Sequence, residues 1–290
     1  MSAKSDLSAR GLNPHLVEAL VELALSEDLA DGPDITTLAT IDEASRATLN
    51  LVARNPGVVA GVHVAQLVFE LLSDEFIFEV FIKDGQKVAA NEVIISIKGP
   101  TQVLLTAERT ALNFLTHLSG IATTTNLWVQ AVSHTKAEIR DTRKTIPGLR
   151  HLEKYAVRCG GGVNHRMSLN DAALIKDNHI LVSGGVSEAF EKVKNLISNQ
   201  EIEVEVDSLE QIPEAIRVGA NFILLDNFSI SELKTAVTEY GAKAKFEASG
   251  GLALENAEIV AETGVDYLAV GALTHSAPSL DIGADLVLND

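Results

Sequence analysis

A regular interval governs the second half of this chain. Short runs of β-forming residues recur at AEIRD, ALIKD, IEVEVD, NFILLD, AKFEAS and DYLAVG. The last four, aligned on Val204, Leu224, Phe246 and Leu268, lie 20, 22 and 22 residues apart. One strand, one helix and two loops fill such an interval, and segments such as SEAFEKVKNLIS and SELKTAVTEYG supply amphipathic helices between the runs. Repeated βα units build a parallel sheet. Six such strands without a glycine-rich dinucleotide fingerprint favour a barrel related to the (β/α)8 design over an open doubly wound sheet.

The first half has another rhythm. Asn13-Pro14 puts a capping residue before a proline, and Leu16, Leu20, Leu23 and Glu27 follow at helical spacing, so an amphipathic helix is expected there. ATLNLVAR, FIFEVFIKDG and EVIISIKG read as strands with a helical VHVAQLVFELL between them, a small α+β domain reaching to about residue 110. AERTALNFLTHLSG then reads as a helix whose polar face carries Arg109, Asn113 and Thr116. That face is either solvated, or it aims Arg109 into a site or across a subunit interface.

Charge narrows the possible ligands. The formal net charge of −17 argues against non-specific binding to nucleic acid or anionic membrane, which carry the same sign. No apolar segment approaches the roughly 18 to 20 residues that span a bilayer. No N-terminal run has the make-up of a signal peptide, so a cytoplasmic location is expected. The single Cys159 gives neither an intramolecular disulfide nor a metal-ligand spacing. Against this acidic background, Arg140, Arg143, Lys144, Arg150, Lys154, Arg158, Arg166 and Lys176 are eight of the 23 Lys and Arg, and only Asp141, Glu153 and Asp171 oppose them within that segment. A basic cluster confined to one stretch of an acidic chain points to a small anionic ligand.

In a parallel barrel the ligand sits at the carboxyl ends of the strands. Here the first run ends in Arg140, Asp141, Arg143 and Lys144, the second in Lys176, Asp177 and Asn178, and the fourth in Asp226 and Asn227, while the third holds Glu203, Glu205 and Asp207. The last two close on Ser249-Gly250-Gly251 and Gly271-Ala272, small residues that let backbone N–H groups approach a phosphate. Each element also has an ordinary reading. Glu201, Glu203 and Glu205 could mark the wet face of a strand, and Asp226 could cap the helix that begins near Ser229. His165 fits a polar network better than a metal site, since no second ligand stands at a ligand spacing. The coincidence of these residues at strand ends favours a ligand bearing both phosphate and carboxylate. Carboxylates in so basic a site would hold Mg²⁺ and sugar hydroxyls, or stabilise a developing positive charge.

DTRKTIPGLR, Lys154-Tyr155-Ala156, CGGGVNHR, LIKDNHI, EVEVDSLEQ, LLDNFS, SGGL and VGALTHS, in this order, strongly resemble quinolinate phosphoribosyltransferase. The resemblance extends over nearly the whole chain, including EDLADGPDITT and ERTALNFL. It implies an incomplete α/β barrel over 113–274 and an open α/β sandwich built from 1–112 with 275–290. It further implies transfer of phosphoribosyl from phosphoribosyl pyrophosphate to quinolinate, with Mg²⁺ and release of CO₂, in a homodimer or dimer-based assembly. Thr142, Arg143, Lys144, His165, Arg166 and Lys176 would line the substrate pocket, and Arg109 would reach it from a neighbouring subunit. Glu205 and Asp226 would serve the ribose and the metal, and Ser249, Gly250, Gly251, Gly271 and Ala272 the phosphates. Ile146, Ser168 and Asn170 depart from the family pattern, leaving its charged residues intact. Three rivals stay open: a relative that uses nicotinate without decarboxylation, a Schiff-base aldolase built on Lys176, and a non-enzymatic anion-binding module.

Overall fold

The computed structural model describes residues 2–197 and 199–288. Two compact units emerge, one from residues 1–126, 146–161 and 276–290, the other from 127–145 and 162–275. The chain begins with α1 (Ala3–Ala9), α2 (Pro14–Leu29), α3 (Ile35–Thr40), β1 (Arg46–Ala53), β2 (Gly57–Val58), α4 (Val62–Glu70), β3 (Ile77–Val80), β4 (Lys87–Val88), β5 (Val93–Pro100) and the long α5 (Thr101–Val132). After β6 (Glu138–Arg140) and α6 (Arg150–Cys159) come β7 (Ala173–Ile175), α7 (Asp177–Ser183), α8 (Val186–Leu196), β8 (Ile202–Val206), α9 (Gln211–Val218) and β9 (Phe222–Asp226). The remaining elements are α10 (Ile230–Tyr240), β10 (Lys245–Ser249), α11 (Leu254–Ala261), β11 (Tyr267–Ala269), α12 (Ala272–His275) and β12 (Ile282–Leu288).

In the first unit, an antiparallel sheet of order β12-β1-β5-β3 sets the chain's last strand against β1. Leu49 and Leu51 of β1 and Ile95 and Ile97 of β5 are fully buried, and Phe69 of α4 meets Phe76 and Phe78 edge-on at 5.6 and 6.5 Å. Helix α2 begins as expected, with Pro14 at its first position and Asn13 accepting the His15 N–H at 3.0 Å. Its buried face differs from the expected one. Val17, Val21 and Leu25 are buried, while Leu16 and Leu23 are 48% and 65% exposed. Both triads have helical spacing, so periodicity alone did not choose between them.

The boundary expected between 112 and 113 falls inside α5, which stays with the first unit to residue 126. Hydrogen bonds hold it there: Ser119 Oγ accepts from Ala60 N at 3.0 Å, and Thr123 Oγ1 accepts from Val58 N at 2.9 Å. The 146–161 segment belongs to the same unit. Tyr155 donates to Asp84 at 2.6 Å, and Glu153 is buried against His117 at 3.0 Å.

The second unit carries six parallel strands in the order β6-β11-β10-β9-β8-β7. This order is the sequence order rolled by one place, with the first strand beside the last. An open doubly wound sheet does not join its first strand to its last; a barrel does. Closure is incomplete on the other side of β6, where its only parallel partner among the described residues is a one-residue bridge from Arg140 to Val163. Helix α10 is capped locally. Ser229 accepts from Glu232 N at 3.3 Å while Glu232 accepts the Ser229 N–H at 2.8 Å, so Asp226 is not needed as a cap.

Candidate active site

A cavity of about 620 Å³ lies at the carboxyl ends of the parallel strands, lined by residues of or just after each of the six. Strand alternation explains which side chains reach it. On β8 and β9, Glu205, Leu224 and Asp226 face the cavity, while Val204, Val206, Ile223 and Leu225 are buried on the opposite face. The glutamates of IEVEVD therefore point into the barrel and not to solvent.

The cationic wall comes from the loops after β6 and α6. Asp141 is fully buried and accepts from His165 N at 2.9 Å and from the Asn164 side chain, holding the 164–166 segment beside β6. Thr142 Oγ1 accepts from Lys144 N at 2.9 Å, and Thr274 Oγ1 donates to Lys144 O at 2.8 Å, which fixes the loop bearing Arg143. Arg166 is steadied by donation to Ala172 O at 2.9 Å. The Nε atoms of Arg143 and Arg166 are buried and have no hydrogen-bond partner among the described residues. Burial lowers the pKa of Arg166, and the charge of Arg143 lowers it further. Two guanidinium groups that repel each other across one pocket form a site for a polyanion.

Facing them, Glu205 Oε2 accepts from Lys176 Nζ at 2.6 Å, and Asp226 Oδ2 accepts from Asn227 Nδ2 at 2.8 Å. The ion pair places Lys176 and Glu205 side by side at the cavity, a cation for an anionic ligand next to a carboxylate. Behind Asp226 the chain turns through Asn227 at φ 59° and passes so close to Gly250 (φ 85°) that a Cβ there would lie 2.1 Å from Asn227 Oδ1. Only glycine fits that crossing. Gly251, Gly271, Ala272 and Ser249 also line the cavity. With four residues, α12 is too short for a substantial dipole, so any phosphate contact there rests on individual backbone N–H groups.

Thus Thr142, Arg143, Lys144, His165, Arg166, Lys176, Glu205, Asp226, Ser249, Gly250, Gly251, Gly271 and Ala272 come together around one cavity. Arg109 does not line it and is exposed on α5 in the first unit. The basic segment also divides: Arg150, Lys154 and Arg158 lie on α6 in the first unit, leaving Arg143, Lys144, Arg166 and Lys176 at the cavity. Ile146, Ser168 and Asn170 are not among the lining residues. Cys159 is inert, since burial and then Asp84 push its thiol up to about 12.

One lining residue was missed in the sequence, Glu247, and it belongs to a buried ionic cluster. Barrels of this kind usually fill the interior with branched apolar side chains contributed by alternate strands. Here β6, β8 and β10 contribute Arg140, Glu203 and Glu247. Arg140 pairs with Glu247 at 2.7 Å and lies 5.0 Å from the centres of the Phe222 and Tyr267 rings. His165 Nε2 is 2.9 Å from Glu203 and 3.6 Å from Glu247. Glu247 was legible in principle, because it stands two residues before Ser249 as Glu203 stands two before Glu205. The ligand atoms of His165, Glu203 and Glu247 lie within 4.8 Å of one another, as a metal site would require. The guanidinium on Glu247 makes a polar network the better description, as expected for His165.

Burial pushes both Glu203 and Glu247 up to about 7, with Arg140 pulling them back in part. An acid whose pKa rises on folding favours the native state at low pH. That contribution is complete below the ordinary carboxyl pKa of about 4.3 and is lost as pH rises through the folded value. Thermal stability should therefore fall from pH 5 toward pH 8, and Glu247→Gln, which keeps an acceptor for Arg140, should flatten the slope. Equal slopes in thermal melts of the two proteins would contradict this assignment.

Comparison with known proteins supplies the family. The sequence model described as quinolinate phosphoribosyl transferase, N-terminal domain, matches residues 34–119, and that described as the C-terminal domain of the same enzyme matches residues 121–285. The chain belongs to the quinolinate phosphoribosyltransferase family. A Mycobacterium leprae protein named nicotinate-nucleotide pyrophosphorylase [carboxylating] is 51% identical over 92% of this chain and 95% of its own length. A Bacillus subtilis protein, named as a probable enzyme of that kind, is 42% identical over 91% of each. The solved nicotinate-nucleotide pyrophosphorylase of Francisella tularensis superposes with a TM-score of 0.91 at 41% identity, covering 94% of this chain and 96% of that one. Its likeness extends over both units. Among the described residues, no helix of this family member is long and apolar enough to cross a membrane.

Proposed function

We propose that this enzyme transfers the phosphoribosyl group of phosphoribosyl pyrophosphate to quinolinate, releasing CO₂ and pyrophosphate and forming nicotinate mononucleotide for de novo NAD synthesis. The observation that carries the reading is the pair Arg143 and Arg166, two mutually repelling cations with unpartnered buried Nε atoms in one cavity. Quinolinate bears two ring carboxylates and matches them in charge and in planar fork geometry. Lys144, Lys176 and the Gly250-Gly251 backbone would take the phosphates. Glu205 and Asp226, on paired strands, would hold the ribose hydroxyls.

The cation wall would aim the ring nitrogen at the anomeric carbon. As that nitrogen's electron pair forms the new bond, the bond to pyrophosphate breaks and positive charge builds on the sugar, opposite Glu205 and Asp226. The ring nitrogen becomes cationic. The adjacent carboxylate then departs as CO₂, leaving its electron pair on the ring carbon beside that cation, and the carbon takes a proton. Mg²⁺ belongs to the same reading. Two hard carboxylate donors at one cavity fit an ion held mainly through substrate phosphates. When bound, it would neutralise charge on the departing pyrophosphate.

A homodimer or dimer-based assembly, with Arg109 contributed to the neighbouring active site, is also proposed. Arg109 is exposed and makes no hydrogen bond among the described residues, and the exposed Leu16 and Leu23 of α2 give the first unit apolar surface to cover. Chains carrying Arg109→Ala and chains carrying Asp226→Ala should each be nearly inactive. Mixed and allowed to exchange, they should recover up to about a quarter of wild-type activity, because half the dimers then hold one intact site. No recovery would place Arg109 outside the partner's site. A cytoplasmic location completes the reading and accords with the free Cys159.

The function itself is tested by release of labelled CO₂ from carboxyl-labelled quinolinate, with nicotinate offered in parallel. Release that requires both phosphoribosyl pyrophosphate and Mg²⁺ is expected. Consumption of nicotinate without release would point to a non-decarboxylating relative. Ligand binding without product would leave an anion-binding module.

A further inference from the structure

His165 lines the cavity, yet both of its ring nitrogens are engaged. Nδ1 lies 2.7 Å from the backbone N of the next residue, Arg166, and accepts that N–H. A nitrogen that accepts carries no proton, so the ring is neutral and its proton is on Nε2. That proton points at Glu203 Oε2, 2.9 Å away. The contact is therefore a hydrogen bond from a neutral imidazole to a buried carboxylate, and His165 has no N–H left to offer a substrate anion. The same short segment is held at its other end by Asp141, which accepts the His165 backbone N–H.

We propose that Glu203 is a positioning residue for the dicarboxylate: by accepting His165 Nε2–H it fixes the tautomer whose Nδ1 holds the Arg166 backbone, and so fixes the Arg166 guanidinium at the cavity wall. The link runs from β8 through the imidazole to the main chain of Arg166, whose side chain is secured separately at Ala172. A tautomer with the proton on Nδ1 would turn an acceptor into a donor facing the Arg166 N–H, and the segment would have to move. Glu203 touches no substrate in this scheme. Its effect should therefore fall on the affinity for the ligand that Arg166 holds, and not on the chemical step.

The inference on substrate affinity rests on the proposed function; the inference on the tautomer does not. Two variants separate position from mere packing. Glu203→Gln keeps an oxygen for His165 Nε2–H and turns its new amide toward Glu247, whose Oε1 is buried and unpartnered among the described residues. Glu203→Met keeps the bulk and removes the acceptor. In steady-state kinetics, Glu203→Met should raise KM for quinolinate at least about tenfold, with KM for phosphoribosyl pyrophosphate and kcat within about threefold of wild type. Glu203→Gln should restore a near-wild-type KM.

Nitrogen-15 NMR of the imidazole, without substrate, should show His165 protonated at Nε2 in wild type and Glu203→Gln, with that state lost in Glu203→Met. A proton on Nδ1 in the wild-type spectrum would overturn the proposal, as would an unchanged quinolinate KM in Glu203→Met. A wild-type protein with the Nε2–H tautomer but no quinolinate turnover would remove the functional reading and leave the His165 clamp intact.

Discussion

Glu205→Ala is expected to lower kcat by roughly 10²- to 10³-fold, the loss typical when one preorganised group facing transition-state charge is removed. KM for quinolinate should move by less than about threefold, because the carboxylate acts on charge that is absent from the bound ground state. Two physical losses combine in this variant. The cavity gives up a negative group facing the sugar, and Lys176 is left without its partner at 2.6 Å. An unneutralised ammonium beside a developing oxocarbenium ion raises the barrier further. Asp226→Ala should behave similarly but more mildly, because Asp226 accepts from the neutral Asn227 amide and no cation is released. Single-turnover measurements with saturating substrates would separate the chemical step from product release. A Glu205→Ala enzyme with wild-type kcat and a raised KM would reassign Glu205 to ground-state binding.

Arg166→Ala is expected to raise KM for quinolinate by roughly 10- to 100-fold, the equivalent of one hydrogen-bonded charge contact of about 1.5–3 kcal/mol. Turnover at saturation should change much less. Arg166→Lys should not rescue the loss, since an ammonium lacks the planar fork that matches a carboxylate. Arg143→Ala should have an effect of the same kind. The two should not add, because Arg143 lowers the pKa of Arg166 and removing one relieves repulsion on the other. A double-mutant cycle on KM tests this directly. Strict additivity, or loss confined to kcat, would argue that the two arginines do not hold the dicarboxylate together.

Much of this site is legible in the linear sequence because strand ends are local features. Lys176 stands next to last in LIKD, Asp226 closes FILLD, and Ser249 closes KFEAS just before Gly250-Gly251; once the βα repeat is recognised, the barrel rule places all of them at one mouth. Other positions have no local signature. Arg150, Lys154 and Arg158 look as basic and as close to DTRKT as the cavity cations, yet they lie on α6 in the other unit. Nothing within a ten-residue window distinguishes them from Arg166.

The sequence by itself determined the βα repeat, the strand boundaries that carry the functional side chains, and the N-terminal Asn13-Pro14 cap of α2. These follow from short-range physics: hydrophobic period, turn residues and capping. Only the tertiary structure decided that Val17, Val21 and Leu25 form the buried face of α2 while Leu16 and Leu23 stay exposed. Only it decided that Arg140, Glu203 and Glu247 form one ionic cluster, with His165 bridging the two carboxylates. Those residues lie far apart along the chain, and nothing local pairs one with another. Their interaction exists because strand closure brings alternate strands to face one another across a low-dielectric interior, where each charge must find its partner.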